Sequence, residues 1–208
     1  MIVPSLESLN LTRKISDEIG NKTFHHHYHI LYDIANTYPN DYHLKYLEIG
    51  CYAGGSACLM LQRKNTSVTS IDLGRPISKE TVLNNVSKLN VHANSYAYIQ
   101  GNSQEEKTYL QITDTYDMIF IDGDHRYNGV IRDYEIYSKF LSENGYIIFD
   151  DYNDSIHSPD VKRAVDFLVK TELSQQYEII GTLKNEHGAR GFDATFTDGN
   201  CFVIKKKT

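Results

Sequence analysis

Two hydrophobic periodicities divide the chain. Up to about residue 40 the apolar positions recur at helical spacing: Leu6, Leu9, Ile15 and Ile19 within residues 5–20, then Tyr28, Leu31, Tyr32, Ala35 and Tyr38 within residues 24–38. Each set predicts an amphipathic helix, and Pro39-Asn40-Asp41 closes the second. From Tyr46 onward, short apolar runs alternate with longer amphipathic stretches. The runs predict strands at 46–50, 68–72, 96–100, 117–122 and 146–150, with helices at 55–64, 78–90, 104–112 and 128–141 between them. A helix at about 159–174 leads to strands near 177–183 and 200–206. This alternation predicts an α/β fold, a doubly wound parallel sheet with helices on both faces. Right-handed crossovers bring the carboxyl ends of the strands to one edge. No linker rich in Pro, Gly or Ser and no internal repeat divides the 208 residues. One domain is expected, with an N-terminal helical cap over 1–40 and a sheet core over 46–206.

The stretch YLEIGCYAGGSACLML, Tyr46 to Leu61, reads as a buried strand, a glycine turn and the start of a helix. Glycine admits a ligand where a Cβ would collide, and the helix start offers free amide hydrogens. A dinucleotide turn reads G-x-G-x-x-G. Here the pattern is E-x-G-x-x-x-G-G-S, with Tyr52 at the place of the middle glycine and Glu48 at the strand end. An acid there repels a pyrophosphate and suits a cationic, amine-bearing ligand. An ordinary strand-turn-helix of another α/β protein has the same outline. The pattern resembles the first motif of class I S-adenosylmethionine-dependent methyltransferases. Asp72 ends the second strand 18 residues after Gly54, a spacing at which an acid commonly accepts from ribose hydroxyls; a helix cap is the other role open to it. Asn102 and Ser103 follow the third strand and are candidates for the adenine end. The expected cofactor set is Glu48, Gly50, Tyr52, Gly54, Gly55, Ser56, Asp72, Asn102, Ser103 and Asp122.

A second informative stretch runs from Asp117 to Tyr152. Two apolar strands end in acids, IFID at Asp122 and IIFDD at Asp150 and Asp151. If the strands are neighbours, three carboxylates converge and repel one another. A hard divalent cation relieves that repulsion, and Mg²⁺ suits so few carboxylates plus water. The acids can equally cap the following helices or face solvent. D-G-D-H-x-Y, a helix, then L-x-x-x-G-Y-I-I-F-D-D-Y resembles a subgroup of class I methyltransferases that includes the metal-dependent sugar O-methyltransferases of macrolide pathways. The likeness spans Tyr46 to Tyr152, with Asn144-Gly145 where the subgroup usually has Gly-Gly. It implies Asp122, Asp150 and Asp151 as Mg²⁺ ligands, and a seven-stranded sheet whose last strand is antiparallel.

Methyl transfer from a sulfonium needs an oxygen nucleophile placed in line and relieved of its proton. The expected acceptor is a small molecule, with its hydroxyl on a sugar or other polyhydroxylated compound. Asp122 and His125 are the catalytic candidates. His125 suits a base at neutral pH, or it steadies the Asp122 loop through hydrogen bonds. Arg126, Tyr127, Tyr152 and Asn153 are further pocket candidates. Two other readings stay open: a metal-independent N- or O-methyltransferase, and a non-catalytic cofactor-binding protein.

Composition narrows the field. A formal net charge of −6 argues against a dedicated nucleic-acid binder. No apolar run reaches membrane length. The N-terminus lacks signal-peptide character, and the three cysteines form no C-x-x-C pair. A cytoplasmic protein with reduced thiols is expected. His25, His26, His27 and His29 cluster without a nearby acid or cysteine, so exposed or locally bonded histidines are expected rather than a metal site. Residues 188–199 suggest a polar loop, at the substrate mouth or on the surface.

Overall fold

The computed structural model describes residues 2, 4–20, 28–183 and 200–208. His25, His26, His27 and the 188–199 stretch lie outside these described residues. In chain order the main elements are α1 (Leu6–Ile19), α2 (His29–Ala35), β1 (Leu44–Ile49), α3 (Gly55–Met60), β2 (Thr66–Asp72), α4 (Lys79–Leu89), β3 (Ser95–Gln100), α5 (Glu106–Tyr109), β4 (Tyr116–Ile121), α6 (Tyr127–Tyr137), β5 (Leu141–Phe149), α7 (Pro159–Leu168), β6 (Tyr177–Thr182) and β7 (Phe202–Lys206). One seven-stranded sheet has the order β3-β2-β1-β4-β5-β7-β6. The first five strands are mutually parallel, and β7 runs antiparallel between β5 and β6. No helix among the described residues is long and apolar enough to cross a membrane.

The central strands are buried on both faces, so successive side chains feed two different cores. Leu44 and Tyr46 of β1, Met118 and Phe120 of β4, and Tyr146 and Ile148 of β5 pack with α2, α3 and α4. Leu47 and Ile49, Ile119 and Ile121, and Ile147 and Phe149 face α6 and α7. In α7 the buried positions are Val161, Ala164, Val165 and Leu168, a helical stripe. The two N-terminal helices belong to the first layer: Ile15, Ile30, Leu31 and Ile34 sit in its core. Of the two states expected for the histidine cluster, exposed or locally bonded, His29 does not take the exposed one: it is fully buried on α2.

Several helices are shorter than the periodicity predicts. α3 stops at Met60, because the next residues are spent on turning the chain. Gln62 Nε2 donates to the carbonyls of Cys58 (2.9 Å) and Leu89 (2.7 Å). The buried Arg63 donates to Pro39, Tyr42 and Lys64 carbonyls. The helix predicted over 104–112 is a single turn. The stretch predicted over 159–174 gives α7, a π turn at Val169–Leu173 and a last turn at Ser174–Gln176.

The topology places the site. Connections run to one side of β1 toward β2 and β3 and to the other toward β4 and β5, so a crevice opens at the ends of β1 and β4. Register aligns Ile49 with Ile71 and Ile121, and Ile121 with Phe149. The residues one step beyond, Gly50, Asp122 and Asp150, therefore form a row. Their amides close the ladder onto Ile71 (2.8 Å), Ile49 (2.8 Å) and Ile121 (3.0 Å).

Candidate active site

A cavity of about 650 Å³ lies along this edge, within the size range of small-molecule sites. Gly50 to Ala53, Gly55, Ser56, Asp72 and the Gly101–Gln104 loop line one end. Tyr28, Asp122, His125, Asp150 and Asp151 line the other. Of the expected cofactor set, Glu48 and Gly54 are not part of the wall.

Gly54 has φ +81°, and a Cβ there would lie 3.0 Å from Val82 Cγ1. It serves the turn and the packing of α4. Gly50 has φ +84°, and a methyl at that position would collide with the carbonyl of Asp122. The close approach of β1 and β4 thus requires glycine there. Tyr52 adopts φ +46°, so the left-handed turn survives although a tyrosine holds the place of the middle glycine.

Glu48 points into the first core layer. Its carboxyl is fully buried and accepts from Ser56 Oγ (2.6 Å), Ser70 Oγ (2.6 Å) and Tyr46 OH (3.2 Å). Burial pushes its pKa up to about 7, and the three hydroxyl donors offset that only in part. The carboxyl ties the first turn of α3 to β1 and β2. Asp72 Oδ2 accepts from the amides of Cys51 (2.9 Å) and Tyr52 (3.1 Å), and Oδ1 from that of Gly74 (2.7 Å). Asp72 therefore clasps the glycine turn, and two amides that the sequence left for a ligand are already engaged. At the next strand end, Asn102 Oδ1 accepts from the Gln104 amide (3.0 Å). Ser103 Oγ donates to Asp133 Oδ1 (2.8 Å).

The opposite end is an acid cluster closed by an imidazole. His125 Nε2 lies 3.2 Å from Asp122 Oδ1, and Nδ1 lies 3.3 Å from Asp151 Oδ2. An ionised carboxylate only accepts, so both ring nitrogens carry hydrogen in this arrangement. Burial pulls the imidazole down, but the hydrogen bond and charge of Asp122, with Asp151 and Asp150 behind, push it up to about 9. The carboxyl of Asp122 is raised to about 6, first by burial and then by Asp150, against the pull of His125. Tyr28 OH donates to Asp122 Oδ2 (2.8 Å). Asp151 sits at φ +56°, where Ser158 Oγ (2.8 Å) and Asn200 Nδ2 (3.1 Å) donate to its two oxygens. Cys201 Sγ is 3.4 Å from Asp150 Oδ1.

Register brings Asp150 beside Asp122, and the hard carboxylate oxygens at this end suit a divalent cation, but the tightest donor group has His125 in the place expected for Asp150. Atoms of Asp122, His125 and Asp151 all lie within 4.8 Å of one another. The imidazolium occupies the position where positive charge is needed.

A methyltransferase-domain family model matches residues 47–152, half of the chain and the span that contains both ends of the cavity. The chain belongs to this methyltransferase family. Protein R132 of Acanthamoeba polyphaga mimivirus, itself uncharacterized, is 38% identical over 185 residues, covering 84% of this chain and 83% of its own length. Among solved structures, a Staphylococcus aureus protein provisionally described as a caffeoyl-CoA O-methyltransferase superposes with TM-score 0.68 at 19% identity, covering 97% of this chain and 92% of its own. The O-methyltransferase NovP gives 0.58 at 18%, covering 97% and 80%. MycE, a methyltransferase of mycinamycin biosynthesis solved with Mg, S-adenosylhomocysteine and mycinamycin VI, gives 0.62 at 14%, covering 94% of this chain and 54% of its own. At these identities the likeness is one of fold.

Some residues of this methyltransferase site escape a sequence reading. Tyr28 reaches Asp122 across 94 residues and carries no local signal. Ser158 precedes Pro159 like a helix N-cap, yet its hydroxyl serves Asp151 and makes no cap bond. Asp133 was findable: it is an acid on the buried face of α6, beside Val130, Tyr134 and Tyr137. Of the further pocket candidates, Arg126 lines the cavity, paired with Asp124. Tyr127 packs on Phe167, and Tyr152 turns toward Lys162, Asp166 and Phe202.

Proposed function

We propose that this methyltransferase uses S-adenosylmethionine and Mg²⁺ to methylate a hydroxyl of a sugar or another small polyhydroxylated molecule. One observation carries the reading: a single cavity joins the glycine turn and Asp72 to the Asp122–His125–Asp150–Asp151 cluster. S-adenosylmethionine supplies a methyl already activated on a sulfonium. Mg²⁺ supplies a Lewis acid that acidifies and orients adjacent hydroxyls. The printed contents of the MycE complex, Mg with S-adenosylhomocysteine and a macrolide, support this pairing by analogy.

The chain's own groups have distinct tasks. Asp72 retains acceptor capacity beyond its three amide bonds and receives ribose hydroxyls. Asn102 and Ser103 border the adenine. Asp122, Asp150 and Asp151 hold the ion. Ser158 lies 3.0 Å from His125 Nδ1 and fixes the ring; a cation bound among the acids would take over the charge that the imidazolium supplies and lower its pKa, and only the neutral ring would have Nε2, on the Asp122 side, open to the acceptor's proton. The whole chain, 1–208, acts as one domain. We assign it to the cytoplasm, where its three buried cysteines stay reduced.

A second reading is a metal-independent N- or O-methyltransferase in which the acids orient the acceptor. It is favoured by the imidazolium, which already neutralises part of the acid cluster. Calorimetric titration tests the cofactor: saturable binding of S-adenosylhomocysteine is expected. Binding of NAD with none of S-adenosylhomocysteine would refute it.

A further inference from the structure

We propose that Tyr28 is a positioning residue that holds Asp122 in the orientation needed to ligate the ion, an inference that rests on the metal reading above. Asp122 has two oxygens with different partners. Oδ1 faces His125 Nε2 at 3.2 Å, inside the acid cluster. Oδ2 receives the Tyr28 hydroxyl at 2.8 Å. A carboxylate held by a donor at each oxygen cannot rotate about its terminal bond. The hydroxyl holds Oδ2 and leaves Oδ1 on the His125 side. Outer partners of this kind commonly set metal affinity by tenfold to a hundredfold.

Tyr28 is delivered rigidly. Its ring is buried edge-on against Phe120 of β4, with centroids 5.4 Å apart. It opens α2, whose Ile30, Leu31 and Ile34 are fully buried. Asp33 of α2 anchors the start of α1: its Oδ1 accepts from Ser5 Oγ (2.8 Å) and Ser8 Oγ (2.6 Å), and its Oδ2 from the Ser5 amide (3.2 Å). The N-terminal helices therefore form a brace that ends on a site acid, and their contribution goes beyond covering the sheet.

The test is an electron paramagnetic resonance titration of the full chain with Mn²⁺ alone, on the parent, Tyr28→Phe and Asp122→Asn proteins. S-adenosylhomocysteine affinity and thermal midpoint are measured alongside. Tyr28→Phe keeps the ring and removes only the hydroxyl. The expected result is Mn²⁺ affinity reduced tenfold or more in Tyr28→Phe and lost in Asp122→Asn, with S-adenosylhomocysteine affinity of Tyr28→Phe unchanged. Parent-like Mn²⁺ binding by Tyr28→Phe would overturn the inference and leave the metal reading standing. An equal fall in both affinities would make Tyr28 merely structural. A parent protein that binds no Mn²⁺ would overturn the metal reading itself, and this role with it.

Discussion

Replacing Glu48 by glutamine isolates the electrostatics beneath the glycine turn. The carboxyl has an ordinary pKa of 4.5 and is pushed up to about 7 in the fold, chiefly by burial. Between those values the folded protein keeps a proton that the unfolded chain has released. Stability contributed by this group is therefore fully present below pH 4.5 and falls as pH rises to 7. The whole loss is about 3 kcal/mol. Glutamine has no such titration. Its amide must find acceptors where the carboxylate had none to find, and the Ser56 and Ser70 hydroxyls can turn to provide them. Rearranging those bonds should cost about 1 kcal/mol at pH 5. At pH 8 the variant should be more stable than the parent by about 2 kcal/mol, roughly 4–8 °C in thermal midpoint for a chain of this size. Urea unfolding of both cofactor-free proteins from pH 5 to 8 reads the difference directly. Asp122 and Asp133 titrate in both proteins, so they largely cancel in the comparison. Parallel stability–pH curves, or a variant weaker than the parent at pH 8, would refute the reasoning.

Three further substitutions probe the row of strand ends. Gly50→Ala combines a left-handed φ with a collision against the Asp122 carbonyl. It should cost at least about 3 kcal/mol, visible as a fall of several degrees in the thermal midpoint, whereas a parent-like melt would mean the strands can part without penalty. Asp72→Ala removes the acceptor of three backbone amides as well as a ribose partner. S-adenosylhomocysteine affinity should drop at least about tenfold, with a stability loss of roughly 2–4 kcal/mol; unchanged affinity by calorimetry would remove Asp72 from the cofactor site. Asp150→Asn should abolish Mn²⁺ binding and most turnover while sparing S-adenosylhomocysteine binding, because it touches only the acid end of the cavity. Retained Mn²⁺ binding would exclude Asp150 as a ligand.

The parts legible in the sequence are those whose physics is local. Alternation of apolar runs and amphipathic stretches specified the parallel core. The acids of IFID and IIFDD met because register is a consequence of strand pairing, which places Asp122 and Asp150 one residue past aligned positions. What was not legible depends on partners distant in sequence. Glu48 looked available to a cationic ligand, yet Ser70, 22 residues on, helps to enclose it. Asp72 looked free for ribose, yet the turn it serves bonds to it first. Gly54 looked like a ligand position, but its neighbour is Val82 of α4. Tyr28 read as one apolar position among several because nothing local distinguishes a ring that packs from a hydroxyl that reaches a site acid. Helix ends were misjudged at α3 for a similar reason: Gln62 and Arg63 continue the helical pattern but are used to bond the carbonyls of the surrounding turns.

The most direct test of the central claim is methyl transfer itself. Labelled S-adenosylmethionine is incubated with the protein and a panel of sugar nucleotides and catechols, in Mg²⁺ and in excess chelator. The account expects labelled O-methyl product from a vicinal diol in Mg²⁺, its loss in chelator, and its return when Mg²⁺ or Mn²⁺ is restored. Product formed at full rate in excess chelator would contradict the metal mechanism and favour the metal-independent reading.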